Sequence, residues 1–232
     1  MDIRLAATRG PTLVPRVFFE LLRNDPRHAV SDTARWLRSF FAASLDPASP
    51  WLAYPTLRWL DATLRRDMTV FEYGAGASTL YFAKRVDHVL SVEHDAAWHA
   101  IVQRRLAEAG VDNVTLVHAA PEPSPPVEYD CERFASAAPG FERMTFERYV
   151  KTIDSQADDS LDLVLVDGRA RASCGLRAWR HVRPNGFLLL DDSERPEYTP
   201  LHLRFDRHER VDLVGIKDKA LELSRTTIWR KR

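Results

Sequence analysis

The segment Val70–Leu80 holds the residues whose types and spacing best suit ligand binding in this chain. It begins with an apolar stretch, turns through Gly74 and Gly76, and continues into small residues typical of a helix start. Glycine lets a ligand approach the backbone closely because no Cβ is in the way, and a helix start offers free N–H groups. We therefore expect a ligand to bind along this turn, which comprises Glu72, Tyr73, Gly74, Ala75, Gly76, Ser78 and Thr79.

Carboxylates stand at the ends of three other apolar stretches. Ligands of open α/β sheets bind beyond the carboxyl ends of the strands, so these groups should lie near the glycine turn. A carboxylate can accept hydrogen bonds from both hydroxyls of a ribose, whereas clustered carboxylates can bind a divalent cation or a substrate amine. The residues concerned are Glu93 with the adjacent His94, Asp167, and the pair Asp191 and Asp192.

Arginine side chains follow the two later acidic positions. Arg169 and Arg171 come just after Asp167, and Arg195 comes just after Asp192. Guanidinium groups so placed can neutralise the carboxylates, or they can hold an anionic substrate group through paired hydrogen bonds.

Two aromatic residues, Trp51 and Tyr54, precede the first predicted strand. They could cover a cationic ligand or the substrate through cation–π contact, or they could pack in the core.

From Thr69 onward, predicted strands and helices alternate, as in a parallel sheet covered by helices on both faces. The last two predicted strands are separated by too few residues for a parallel crossover, so they should form an antiparallel hairpin. The pattern predicts a Rossmann-like, doubly wound, mostly parallel seven-stranded sheet with an antiparallel last strand. The predicted strands are Thr69–Tyr73, His88–Glu93, Val114–His118, Leu161–Val166, Phe187–Leu190, Glu209–Gly215 and Thr226–Arg230. Helices are predicted at about 77–86, 95–109, 145–156 and 172–182, with Asp95 as the N-cap of the second and a turn at 183–186.

Two further regions complete the organisation. Residues 1–60 should form a helical extension, with helices at Pro15–Leu22, from Ser31 or Asp32 onward, and at Trp51–Leu64. Five of the fourteen prolines fall between 119 and 144, so this segment should be an irregular insertion that could close over substrate.

Composition sets broad limits on function. The formal net charge is +0 and the sequence pI is about 7.1, which gives no bulk attraction to nucleic acid or to an acidic membrane. No apolar run is long enough to span a bilayer, and two cysteines make a disulfide framework improbable. A small-molecule substrate and a cytoplasmic location are expected.

The acid-x-Gly-x-Gly turn, Glu93, the strand ending before Asp167 and the Pro184-Asn185-Gly186-led strand before Asp191 together resemble the class I S-adenosylmethionine-dependent methyltransferases. The resemblance covers residues from about 50 to 232. It implies that S-adenosyl-L-methionine binds the glycine turn, Glu93, His94 and Asp167. The N-terminal helices (1–60) would then be an extension or cap, and one candidate for a homodimer interface, on a methyltransferase domain at 61–232.

The same resemblance extends to metal-dependent O-methyltransferases. It implies that Asp167, Asp191 and Asp192 bind Mg²⁺ and serve catalysis, with Trp51, Tyr54, Arg169, Arg171 and Arg195 near the substrate. The expected reaction is O-methylation of a small molecule. The alternatives are a metal-independent N-methyltransferase, an NAD-dependent oxidoreductase and a non-catalytic protein that binds S-adenosylmethionine.

Overall fold

The computed structural model describes residues 12–41, 50–125 and 131–232. Parts of three predicted features lie outside the described residues: the start of the helical extension (1–11), most of the non-helical segment expected between its second and third helices (46–49), and the middle of the proline-rich insertion (126–130). In the described ranges, no helix has the length and apolar character needed to cross a membrane.

The strands belong to one large sheet and one small ladder. Their bounds are β1 Thr69–Tyr73, β2 His88–Glu93, β3 Val114–His118, β4 Glu122–Pro123, β5 Met144–Thr145, β6 Leu161–Val166, β7 Val182–Leu190, β8 Glu209–Gly215 and β9 Ser224–Arg230. Within the described residues, seven strands form the sheet in the order β3–β2–β1–β6–β7–β9–β8, and β4 pairs with β5. Strand β9 runs antiparallel to both β7 and β8, and the other pairings in the sheet are parallel. The predicted fold class is confirmed.

Helices cover both faces of the sheet. Their bounds are α1 Leu13–Asn24, α2 Ala29–Ser39, α3 Tyr54–Thr63, α4 Ala77–Ala83, α5 Ala96–Glu108, α6 Glu147–Lys151, α7 Arg171–Ala178 and α8 Thr199–Arg204. All six residues of β6 are buried, as a central strand covered on both faces requires. One apolar cluster packs α6, α7 and α8 against the sheet, and another packs α1 to α4 against the opposite face.

Five strands, β1, β2, β3, β6 and β8, have the predicted bounds, whereas β7 and β9 begin earlier than expected. The predicted turn at 183–186 lies inside β7, where Asn185 has a φ of +65°, a conformation that asparagine tolerates better than most residues. Helix α5 begins after Asp95, whose carboxylate accepts a hydrogen bond from the Trp98 N–H at 2.8 Å, as predicted for an N-cap.

Several helix predictions were wrong at their ends. Helix α2 begins at Ala29, before the predicted Ser31 or Asp32, and the Asp32 carboxylate accepts a hydrogen bond from Arg58 of α3 at 2.7 Å. The helices predicted beyond Ala83 and Ala178 end there, and the one predicted over 145–156 is a short α-helix followed by a 3₁₀ turn.

The described N-terminal helices pack beside the edge strand β8 and the turn that follows it. The Trp36 indole donates to the Ala220 carbonyl oxygen at 2.7 Å, and the Tyr54 hydroxyl donates to Asp218 at 2.6 Å. In the described residues, the helical extension therefore contacts the β8 edge of the sheet.

Candidate functional site

The glycine turn after β1 is held by an internal hydrogen-bond chain. The Thr79 hydroxyl donates to Glu72 Oε2 at 2.6 Å and accepts from the Gly76 N–H at 2.9 Å. The Ser91 hydroxyl of β2 donates to the same Glu72 oxygen at 2.6 Å. Glu72 and Thr79 are fully buried, so they shape the turn from beneath and their side chains do not face a ligand site.

Gly74 brings the turn into backbone contact with the loop that follows β6. Its φ is +97°, and a Cβ at this position would lie 2.8 Å from both the N and the Cα of Gly168. Glycine is therefore required both for the conformation and for the close approach. This contact places the turn directly beside Asp167.

Three side chains predicted to contact a ligand face elsewhere. Tyr73 points into the core and donates to the Val150 carbonyl oxygen at 2.7 Å, because both faces of the central strand β1 are covered. Tyr54 is also buried, bound to Asp218, with the Arg35 guanidinium over its ring. Trp51, by contrast, is 63% exposed, and the centre of its ring lies 5.1 Å from the Lys217 ammonium nitrogen.

Glu93 ends β2, next to the glycine turn of the neighbouring strand. Its Oε1 accepts hydrogen bonds from the N–H groups of His94 and Asp95, both at 2.8 Å, and lies 2.7 Å from His94 Nδ1. In the described part of the chain Oε2 has no hydrogen-bond donor, which leaves it for a ligand hydroxyl. The main-chain contacts fix the orientation of this oxygen.

Asp191 and Asp192 follow β7 and bind a lysine from the β8–β9 connection. Lys217 Nζ donates to Asp191 Oδ2 at 2.5 Å and to Asp192 Oδ1 at 2.6 Å, and its side chain is 4% exposed. Thr226 donates to the other oxygen of Asp191 at 2.9 Å. An ammonium group thus occupies the position that the sequence assigned to a metal ion.

Arginines complete this ion-pair network. Arg171 lies 3.0 Å from Asp167 and 3.4 Å from Asp192, and it also donates to the Asp191 carbonyl oxygen at 2.6 Å. Arg195 donates to Asp192 Oδ2 at 2.6 Å. Burial opposes ionisation of Asp192, but Lys217 and the two guanidinium groups outweigh it and lower the pKa of this carboxyl group.

The predicted magnesium site does not fit these residues. Mg²⁺ needs carboxylate oxygens free to enter an octahedral shell, whereas the oxygens here are bound by lysine, arginine and threonine. Across residues 12–41, 50–125 and 131–232, no group of three or more histidine, cysteine, aspartate or glutamate side chains is arranged to hold a metal ion. Asp191 and Asp192 are therefore buried ion-pair partners of Lys217.

Asp167 differs from the two other aspartates. Its side chain is 21% exposed, and the next residue, Gly168, lines a cavity. Burial and the neighbouring Asp191 carboxylate raise the pKa of Asp167 to about 8, although Arg171 and Lys217 oppose the shift. A carboxylate with a pKa near neutrality can take up a proton during a reaction.

The cavity beside Asp167 has a volume of about 340 Å³. One wall comes from the loop after β6, a second from the segment that follows β7, and the third from Ser136–Pro139 of the proline-rich insertion. Two non-glycine residues of these loops, Ala170 and Asp192, have positive φ angles of 47° and 50°. Backbone strain of this kind concentrates at functional sites.

A second cavity, of about 300 Å³, lies past the end of β3. His118 and Ala119 form one side, and Glu147, Arg148, Lys151 and Thr152 are among the residues on the other. It lies at the same edge of the sheet as Glu93, since β2 and β3 pair in parallel with Glu93 opposite His118. The sequence predicted no ligand-binding residue after β3.

Comparison with known proteins agrees with the fold. The chain is similar in structure to a precorrin-6y C5,15-methyltransferase of Geobacter metallireducens, with a TM-score of 0.53, 13% identity, and coverage of 77% of this chain and 87% of the other. It is also similar to a putative rRNA methylase of Clostridium thermocellum, with a TM-score of 0.51, 12% identity, and coverage of 76% and 94%. The chain therefore has the class I methyltransferase fold.

One curated relative extends the likeness to sequence. The chain is 35% identical over 106 residues to a protein-L-isoaspartate O-methyltransferase of Chromohalobacter salexigens, covering 43% of this chain. The match spans about half the length of that relative, 46%. No protein-family model matches the chain. The predicted resemblance to class I methyltransferases is confirmed.

Proposed function

We propose that the protein transfers a methyl group from S-adenosyl-L-methionine to an oxygen atom of a small molecule. The observation that carries the proposal is the placement of the glycine turn and Glu93 at adjacent strand ends. Strand β1 lies between β2 and β6, where the strand order reverses, and ligands of open α/β sheets bind at such a point.

The residues at this edge fit the cofactor. Gly76 leaves the main chain of the turn open, since only Ser78 Oγ would lie within 4 Å of an added Cβ. Glu93 Oε2 can accept from the ribose hydroxyls while Oε1 is held by main-chain N–H groups. The cavity past β3 is large enough for an adenine ring. When bound, the cofactor supplies an electrophilic methyl group on a sulfonium.

The acceptor occupies the cavity of about 340 Å³ between the insertion and the β6 loop. Asp167 lies between the glycine turn and the cavity-lining Gly168, so we assign it as the base that takes the acceptor's proton. The rest of the rate enhancement comes from holding the acceptor and the methyl donor close together and in line. No step depends on a metal ion, because Lys217 already occupies the acidic pair.

The oxygen acceptor is supported by the O-methyltransferase named among the relatives. An N-methyltransferase and an RNA substrate are the competing forms of the same proposal, since one structural neighbour is a putative rRNA methylase. The chain's formal net charge of +0 favours the small molecule. An oxidoreductase is less favoured, because the antiparallel β9 departs from an all-parallel dinucleotide-binding sheet.

Titration calorimetry with S-adenosylhomocysteine tests the cofactor site. We expect Glu93→Gln to weaken binding roughly 10- to 100-fold, because a charge-assisted hydrogen bond to the ribose is lost while the amide oxygen still accepts from the main chain. Glu108→Gln, on the exposed face of α5, is the matched control. Equal affinities for the Glu93 variant and the wild type would remove the assignment, and binding of NAD in place of S-adenosylhomocysteine would remove the proposed function.

A homodimer through the N-terminal helices remains a prediction. Large apolar side chains are exposed there, including Phe19 at 61%, Val30 at 73% and Phe41 at 83%. Sedimentation equilibrium at several protein concentrations would measure the association directly.

A further inference from the structure

The cavity beside Asp167 has an unusual charge distribution for its size. Its lining contains three guanidinium groups, those of Arg169, Arg171 and Arg195, and one carboxylate, that of Glu197. At about 340 Å³ it can enclose a small ligand. What the arginines already bind decides whether this charge is available to such a ligand.

Arg171 is fully engaged by the protein. Its guanidinium group contacts the carboxylates of Asp167 and Asp192 and two main-chain carbonyl oxygens, and its side chain is only 9% exposed. Arg195 is partly engaged. It binds Asp192 through one nitrogen, and its side chain is 48% exposed on the cavity wall.

Arg169 stands apart from the other two. Among the described residues no carboxylate lies within 4.0 Å of it, and its Nε is buried without an acceptor. Its guanidinium carbon lies 5.5 Å from the centre of the Phe141 ring, which holds the group without neutralising it. Arg169 is half-buried and lines the cavity, so its guanidinium group can bind a ligand there.

We infer that the methyl acceptor carries an anionic group, a carboxylate or a phosphate, which Arg169 and Arg195 bind in this cavity. The inference rests on the proposed function, because it identifies the substrate class of the same site. The planar guanidinium fork matches both anions through paired hydrogen bonds. Arg171 and Lys217 neutralise the protein's own aspartates, which leaves Arg169 to attract the ligand. Glu197, on the same wall, would disfavour a second negative charge nearby.

Three small probes of similar shape test the inference. Benzoate, phenyl phosphate and benzamide are titrated into the protein saturated with S-adenosylhomocysteine, and calorimetry gives each affinity. The Nε–H resonance of Arg169 in ¹⁵N spectra reports a change in the surroundings of this guanidinium group. We expect at least one anion to bind roughly 10- to 100-fold more tightly than the neutral amide and to shift this resonance. The preferred anion distinguishes a carboxylate acceptor from a phosphate acceptor.

Variants separate a specific contact from general charge. We expect Arg169→Gln to remove most of the preference for the anion and Arg195→Gln to reduce it, whereas Arg104→Gln, an exposed change on α5, leaves it unchanged. A thermal melt of each variant confirms folding, and Arg195→Gln keeps the test decisive if Arg169→Gln fails to fold. Equal binding of benzamide, no binding of either anion, or full anion affinity in Arg169→Gln would overturn the inference. Failure to bind S-adenosylhomocysteine would instead overturn the proposed function.

Discussion

The two halves of the sheet's ligand edge are built in different ways. On the β1–β2 side, the glycine turn and Glu93 are held by residues close to them in sequence and by main-chain N–H groups. On the β6–β7 side, the aspartates are bound by Lys217, which lies 25 and 26 residues further along the chain. The first half is a local motif, whereas the second is assembled from distant segments.

The comparison shows why equal chemical groups receive different roles. The sequence presents Asp167, Asp191 and Asp192 as three equivalent acids at the ends of neighbouring strands. In the structure the last two are the buried partners of an ammonium group, whereas Asp167 lies beside the glycine turn and directly precedes the cavity-lining Gly168. Tertiary partners, and not position after a strand, decide which carboxylate is available for chemistry.

Substitution of Lys217 should cause the largest loss of stability on the β6–β7 side. Lys217→Met leaves two buried carboxylates without their ammonium partner, so we expect the free energy of unfolding to fall by roughly 3–5 kcal/mol. Urea denaturation measures the loss. Lys151→Met, which removes an exposed ion pair with Glu147, should cost less than about 1 kcal/mol. Partial rescue by adding Asp191→Asn would confirm the pairing, and equal stability of Lys217→Met and wild type would refute it.

The role assigned to Asp167 predicts a loss of activity without a loss of cofactor binding. Once an acceptor is known, Asp167→Asn should lower kcat roughly 10²- to 10⁴-fold, because the amide cannot take a proton. Since the base must be ionised and its pKa is raised to about 8, the wild-type rate should increase with pH up to that region. The charged groups facing it are Asp191, Asp192, Arg171 and Lys217. A flat pH profile, with full activity in the variant, would exclude Asp167 as the base.

Gly74→Ala tests the contact between the two halves. The substitution places a Cβ 2.8 Å from the Gly168 backbone at a φ of +97°, so we expect a destabilisation of roughly 3 kcal/mol and a loss of S-adenosylhomocysteine binding. Gly110→Ala is the matched control, because its φ is +63° and no atom lies within 4 Å of the added Cβ. It should cost about 1 kcal/mol. Equal effects in the two variants would show that the close approach has no energetic importance.

Glu72 gives the β1–β2 half a pH dependence. Burial raises the pKa of Glu72 to about 7, against the opposing effect of the Ser78, Ser91 and Thr79 hydroxyls. A raised pKa in the folded state favours the protonated form, so this stabilisation is complete below about pH 4.5 and is lost as the pH rises through 7. Across that range we expect the group to reduce stability by roughly 3 kcal/mol.

Glu72→Gln should remove that component of the pH dependence, so the variant gains stability relative to wild type as the pH increases. Denaturant titrations at pH 5 and pH 8.5 measure the difference. Glu108→Gln serves as the exposed control. Parallel stability curves for wild type and Glu72→Gln would show that the buried carboxyl does not titrate in this range.

The amino-acid sequence by itself determined the sheet, the glycine turn and Glu93. These depend on short-range patterns: apolar runs of strand length, glycines at a strand end, and an N-cap such as Asp95. One prediction in this half was wrong: Tyr73 was assigned to the ligand site, but its ring lies in the core.

The tertiary structure alone decided what the β6–β7 edge can do. Nothing near Lys217 in the sequence indicates that its ammonium will enter the acidic pair, and nothing near Ser136–Pro139 indicates a cavity wall. The physical reason is that the charge balance of a buried cluster depends on every segment packed around it. Arg169 and Arg171 are two residues apart in the sequence. Arg171 nevertheless pairs with Asp167 and Asp192, whereas Arg169 has no carboxylate partner among the residues described.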